Sequence, residues 1–222
     1  MKNIFIILLM PIFAFSFDLA IDVGHTPKFF GTTSSTCQQE YNYNLALSKH
    51  VYSYAKTKMK KTNINISIQE GETTFEDRYK SSINKDLFLS IHHDAMQEQF
   101  IKKDVNGCPN SNYASGFSLF ISGKNLYYEK SLHYAKKIAK SLLLQGLKPT
   151  LHHAEPIQGE NRQLIDKKLG IYVFDDLKVL KNAKSPAVLF EAGVIVNPID
   201  EAKAKDKIQM DKIANAILSI SK

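Results

Sequence analysis

The chain has 222 residues, 44% of them hydrophobic and 23% charged, which suits one folded domain with a sizeable core and excludes a repeat or low-complexity architecture. Its formal charge of +7 is carried by lysines spread over prospective helix faces, such as Lys136 and Lys137, and no aromatic-interleaved basic motif is present. Composition therefore argues against nucleic acid and favours attraction to an anionic polymer or surface.

In chain order, Lys2 is followed by an apolar run over residues 4–15 and by the small-x-small triplet Ala14, Phe15 and Ser16. This pattern predicts a secretory signal peptide over residues 1–16 and an exported protein, periplasmic or secreted. The run falls short of the roughly 20 apolar residues that span a bilayer, so no stable membrane insertion is expected once it is removed. The competing reading is a buried first strand or helix, but residues 18–23 already make a complete strand of their own. Removal of Lys2 takes one charge from +7 and leaves +6.

Short β-rich runs at residues 19–23, 64–68, 87–91, 116–121, 171–174 and 187–190 alternate with longer amphipathic stretches. The alternation predicts a single-domain α/β fold over residues 17–222, with a sheet of about six strands flanked by helices on both faces. Most of these runs are apolar at consecutive positions, as central strands covered on both sides should be.

Residues 40–58 carry Leu45, Leu47, Val51, Tyr54 and Ala55, with Met59 beyond, at helical spacing. Thr73 or Thr74 is expected to cap a second helix reaching about Lys85, and residues 125–145 form a third, stopped by Gly146 and Pro149. The last helix is expected over residues 198–219, with Asp200 and Glu201 favouring its N-terminal dipole. His50 and His133 read as solvated helix residues.

Between these elements, the polar loop at 96–115 is expected to border a substrate groove, and residues 148–162, with His152, His153, Glu155 and Glu160, its opposite wall. Cys37 and Cys108 lie in loops that follow the site motifs, and the sequence leaves both a bridge and free thiols open.

The chemistry rests on side chains delivered to strand ends. His25 follows one apolar strand, Glu40 opens the next helix and His92 follows another strand. In an open α/β sheet such ends gather along one edge, where crevices form. Two imidazoles and a carboxylate suit zinc and leave a fourth position for water, with iron or manganese as alternatives. Glu191 leaves the apolar run 187–190 at the same edge, as a general base for water and acid for a departing amine, or else as a structural salt bridge or cap. His153 and Arg162 are candidates to grip a carboxylate of the substrate, against the plainer reading of inert loop residues.

Taken together, Asp22-Val23-Gly24-His25, Glu40 fifteen residues later, Ser90-Ile91-His92 with Ala95, Gly116-Phe117, and residues 186–193 with Asn197-Pro198 form an ordered set. By these motifs the chain resembles the zinc-dependent N-acetylmuramoyl-L-alanine amidases of the type-3 group over nearly all of residues 17–222. The resemblance implies a mixed, mostly parallel sheet, one zinc per chain on His25, Glu40 and His92, and Glu191 as catalytic acid/base. It also implies peptidoglycan or muropeptides as substrate, cut between N-acetylmuramic acid and L-alanine. The chain departs from the family pattern at Asp94, where Asn is usual, at Thr26 and His93, and at 69–72, where an Arg is common. Asp94 joins His153 and Arg162 as an expected substrate contact. The rival readings are another zinc peptidase or amide hydrolase and a non-catalytic wall-binding regulator. Should the metal lie elsewhere, His152, His153 and Glu155 are next in line. An occluding helix is not evident, and oligomeric state is left open.

Overall fold

Strands β1 (Phe17–Val23) and β3 (Leu87–Asp94) are built on apolar runs, with seven consecutive residues of β3 buried, whereas β2 (Ile64–Gln69) alternates Ile with polar residues. In the computed structural model, which describes residues 16–58 and 63–221, β1 and β3 lie inside a seven-stranded sheet and β2 forms one of its edges. The expected signal peptide, Ser16 apart, and Met59 lie outside the described residues. The remaining strands are β4 (Lys102–Lys103), β5 (Pro109–Asn110), β6 (Ser118–Ile121), β7 (Gln163–Asp166), β8 (Ile171–Val173) and β9 (Ala187–Val194).

The sheet order is β2-β1-β3-β9-β6-β8-β7. β1, β2, β3 and β9 run parallel, β6 turns antiparallel to β9 but parallel to β8, and β7 closes the far edge antiparallel. The fold is thus a single α/β domain with a mixed, mostly parallel sheet. The six expected strands are all present, and β7 is a seventh. Its four residues include the exposed Gln163 and the half-buried Asp166, so it lacks the apolar run that marks a covered strand.

Helices α1 (Glu40–Lys58), α3 (Tyr128–Leu144) and α6 (Lys207–Leu218) cover one face. They bury Leu47, Val51, Ile138, Leu142, Ile213 and Ile217 against Leu19, Ile21, Leu89, Ile91 and Phe190. The alternate strand positions Ala20, Phe88, Phe120, Tyr172 and Leu189 face the other side and pack on Val179 and Leu180. This period of two is what burial of a sheet on both faces requires. That thinner layer contains α2 (Phe75–Lys80) and the unexpected α4 (Lys178–Asn182).

Thr74 is the cap of α2, accepting from Asp77 N at 3.1 Å while Asp77 accepts from Thr74 N. The helix stops at Lys80, short of Lys85, because Ser81 and Ser82 turn their hydroxyls back onto the carbonyls of Arg78 and Tyr79. The expected long C-terminal helix is two helices, α5 (Pro198–Lys205) and α6. Asp206 adopts extended backbone between them and accepts from Ile208 N, so a capping residue divides the run. His50 is not simply solvated: its Nε2 lies 2.6 Å from Asp211 on α6, tying α1 to that helix. His133 is exposed as expected.

Within residues 96–115, β4 and β5 form a two-stranded ribbon, and the chain carries no helix longer than the turn Glu98–Phe100 there. Cys37 and Cys108 form a disulfide with Cα atoms 5.2 Å apart, pinning this ribbon to the loop before α1 across 71 residues of sequence. Closing a loop of that length restricts the unfolded chain by about 4 kcal/mol on the chain-entropy scale. The Cys37→Ala/Cys108→Ala double variant is expected to lose about 2–4 kcal/mol in urea unfolding, with a larger m value because the freed unfolded chain exposes more surface. An unchanged midpoint would show that the bridge adds no stability.

Candidate active site

The floor of the site is a buried charge pair. Asp22 on β1 faces Ser90 on β3 in register, and Arg78 on α2 donates to both Asp22 oxygens at 2.8 and 2.7 Å. Ser90 Oγ adds a donor to Asp22 at 2.6 Å. This fork holds α2 against the C-terminal ends of β1 and β3.

Above that floor the chain leaves β1 through Gly24, whose N–H donates to Ile91 O at 2.9 Å, and His25 takes a left-handed backbone with φ 66°. A side chain on Gly24 would run into the His92 ring at 2.6 Å. Gly31, at φ 79°, lies so close to Glu40 and His25 that a Cβ would collide with both. Both glycines thus leave room for the polar groups gathered there.

His25 Nε2 lies 3.1 Å from Glu40 Oε2, His92 Nδ1 lies 3.2 Å from Glu40 Oε1, and the two rings meet edge to face at 4.8 Å. The donor atoms of these three residues all lie within 4.8 Å of one another. Glu40 is further held by Thr32 N at 3.1 Å and by Asn44 Nδ2 at 3.0 Å. Burial would raise its pKa, but hydrogen bonds and the charge of the two histidines outweigh burial and hold the carboxyl well below its ordinary range. His92 Nε2 is buried and has no hydrogen-bond partner. Two imidazoles, one carboxylate and an unsatisfied ring nitrogen fit a zinc-class cation.

His93 turns away from this set. Its Nδ1 meets Asn44 Oδ1 at 2.8 Å, and burial pushes its pKa down to about 4, so it is a neutral positioning group.

His92 and Glu191 lie opposite each other in the register of β3 and β9. Both sit inside strands, since β3 continues to Asp94 and β9 to Val194, rather than just beyond them. Glu191 Oε2 is buried without a partner. Burial first, then the carboxylates of Asp94 and Glu40, push its pKa well above the usual 4.5. The register of β3 against β9 shifts between His92 and Asp94, a bulge that re-aims Asp94.

Asp94 Oδ2 lies 2.7 Å from His153 Nε2 and 3.3 Å from His152 Nε2, and His153 Nδ1 lies 2.8 Å from Glu160. Burial disfavours the imidazolium of His153, but the charge of Asp94 and hydrogen bonds to Asp94 and Glu160 prevail and raise its pKa to about 10. Asp94 and His153 are therefore bonded to each other instead of standing as separate grips. Arg162 stacks 3.8 Å over Phe174 and donates to Gly159 O. Glu155 belongs to neither cluster and accepts from Tyr113.

Two cavities flank these groups. One of about 390 Å³ is lined by His25, His92, Phe29 and Phe75, and one of about 210 Å³ by Asp94, His153, Arg162 and Glu191. Both touch Leu177 and Leu189, so the two cavities form a groove past the catalytic candidates. A cavity of about 540 Å³ near α5 and α6 shares no lining residue with either of them.

A family model described as N-acetylmuramoyl-L-alanine amidase matches residues 19–220. The chain belongs to that family. Its fold is that of solved amidases. It superposes on the N-acetylmuramoyl-L-alanine amidase of Clostridium difficile 630 with a TM-score of 0.68 at 21% identity, covering 92% of this chain and 94% of that one. For the Mycobacterium smegmatis amidase the values are 0.68 and 18%, over 91% and 93%. For the catalytic domain of the amidase from Bacillus (Paenibacillus) polymyxa they are 0.64 and 21%, over 90% and 93%. No curated protein matches the chain.

In this amidase chain, sequence reasoning missed Asn44 and Arg78 as contributors to the site. Asn44 stands one helical turn after Glu40, which is the signal that could have found it. Arg78 is one of two arginines in the chain, but its pairing with Asp22, 56 residues away, is visible only in the fold. Arg78→Met is expected to destabilise the amidase by about 3–5 kcal/mol in denaturant unfolding, because Asp22 is left as an unpaired buried charge. A loss below about 1 kcal/mol would mean that Asp22 is solvated in the folded chain.

Proposed function

We propose that this member of the amidase family is an exported, zinc-dependent hydrolase of the amide between N-acetylmuramic acid and L-alanine in peptidoglycan or muropeptides. The observation that carries the proposal is the meeting of His25, Glu40 and His92 beside the buried, unpartnered carboxyl of Glu191. His25, Glu40 and His92 would hold the zinc. When bound, zinc supplies a Lewis acid that polarises the amide carbonyl and makes water acidic enough to ionise near neutral pH.

Glu191 does the proton work. Its surroundings raise its affinity for a proton, so it takes one from the attacking water and passes it to the amide nitrogen as the C–N bond breaks. The products are a lactyl carboxylate and a stem peptide with a free L-alanine amine. The protein holds its reacting groups rigidly, since Glu40 is fixed from both ends of its carboxylate and the strand register fixes His92 against Glu191. Arg162, at the wall of the smaller cavity, is the residue we assign to a stem-peptide carboxylate. Phe29 and Phe75, both exposed, give the other cavity an apolar rim.

Export rests on the signal pattern of residues 1–16, and the positive charge then favours an anionic wall. Among the described residues no helix is long and apolar enough to cross a membrane. The free general-base candidate separates this reading from a wall-binding regulator, which has no need of one.

Incubation with purified peptidoglycan is expected to release stem peptides with free N-terminal L-alanine. Glu191→Ala should slow that release by about 10²–10⁴-fold while retaining zinc. His25→Ala, Glu40→Ala and His92→Ala should each bind one zinc fewer than the parent. Equal activity in Glu191→Ala refutes its role, and cleavage inside the stem peptide assigns the chain to the peptidase reading.

A further inference from the structure

The second His–carboxylate cluster is not used by the reaction just described. We propose that Asp94, His152 and His153 form a second site for a divalent cation of the zinc class, in the groove wall that also holds Glu191. Their donor atoms all lie within 4.8 Å of one another, as do those of the first cluster. The proposal stands on these residues alone and does not require the first site to be correct.

The deciding observation is His152. The residue is 4% exposed, and its Nε2 has no hydrogen-bond partner although it lies 3.3 Å from Asp94 Oδ2. Its other nitrogen, Nδ1, lies 2.8 Å from Thr150 Oγ1. With Nδ1–H donating to that hydroxyl oxygen, Nε2 presents a lone pair to a carboxylate oxygen. Two acceptors facing each other in a dry pocket repel, and a cation between them satisfies both.

His153 has the complementary arrangement. Its Nδ1 lies 2.8 Å from Glu160 Oε2, and its Nε2 points at Asp94 Oδ2 from 2.7 Å. An imidazole that donates one N–H to a carboxylate and turns its other nitrogen to the metal is the usual outer support of a histidine ligand. Gln97 Nε2 in turn donates to Glu160 at 2.9 Å. Without a metal, an imidazolium at His153 bridging Asp94 and Glu160 satisfies those three groups but leaves His152 Nε2 unmet.

The fold also holds the donors in place before any ion arrives. The bulge in β3 presents Asp94, and the single turn His152–Ala154 sets the two imidazoles with centroids 3.8 Å apart and planes tilted by 38°. Tyr172 fixes that turn by donating to Thr150 O at 3.0 Å, and Phe120 packs edge-on to His153 at 5.0 Å. Such locked rotamers lower the cost of assembling a site. Two nitrogens and one carboxylate favour zinc over calcium or magnesium, which prefer all-oxygen shells. Asp94, His153 and Glu191 all face the cavity of about 210 Å³, so a fourth position is open to a ligand. A cation here would offset the negative charge of Asp94 and Glu160 close to Glu191.

The test is metal counting on the full chain, dialysed free of metal and titrated with Zn²⁺ alone, with elemental analysis at saturation. Two equivalents are expected for the parent, and one for each of His152→Ala, Asp94→Asn and His25→Ala. None is expected for the His25→Ala/His152→Ala double variant. Anomalous diffraction at the zinc edge from parent crystals avoids any folding defect in the variants. It should show a peak between Asp94, His152 and His153. Saturation at one equivalent with a single peak at His25, Glu40 and His92 overturns the proposal. A sole peak at Asp94, His152 and His153 upholds it and sinks the first site instead.

Discussion

The site depends on the burial of one charge, the carboxylate of Glu40. An isolated ionised carboxylate in an apolar interior is too costly to persist, so the chain must surround it with donors. It does so from four directions: His25 after β1, His92 on β3, Asn44 one turn along α1, and the backbone N–H of Thr32. Its position at the first turn of α1 adds the favourable end of the helix dipole. Each partner is thereby fixed in turn, which is why the loop from residue 24 to 39 takes one path and why two rings from distant strands meet edge to face.

Parallel topology brings those partners together. β1, β3 and β9 run in the same direction, so Gly24, His92, Asp94 and Glu191 emerge along one edge of the sheet. The Asp22–Arg78–Ser90 fork lies directly beneath and holds α2 to the two strand ends that carry the histidines. A second buried carboxylate, Glu201 on α5, does the equivalent on the other side of the loop. Burial would raise its pKa, but bonds from Lys205, Ser35, Thr36 and Tyr43 hold it at about 2. Together these pairs brace the segment that leads into Glu40.

How much of this was legible in the sequence follows from the range of the interactions involved. Local pattern was enough for α1, found over residues 40–58 as expected, and for the six strands marked by short β-rich runs. His25, Glu40, His92 and Glu191 could be chosen as a set because each follows or opens a strongly patterned element. The short polar edge strand β7, the helix α4 and the break at Asp206 were not legible, since tertiary neighbours or a single capping side chain decide them. The same holds for side-chain partners. Asp94 and His153, read as separate substrate contacts, are joined across 59 residues, and His50 finds Asp211 across 161. A one-dimensional pattern carries no record of such pairings.

The central claim is that imidazoles from β1 and β3 converge on one cation through Glu40. ¹⁵N NMR of histidine-labelled protein during zinc addition tests it most directly, because coordination displaces the ring nitrogen resonances of each ligand. The account predicts that His25 and His92 shift in concert, that the exposed His133 stays in place, and that Glu40→Gln abolishes the shift at both rings. His25 and His92 resonances that remain unmoved at saturating zinc would contradict it.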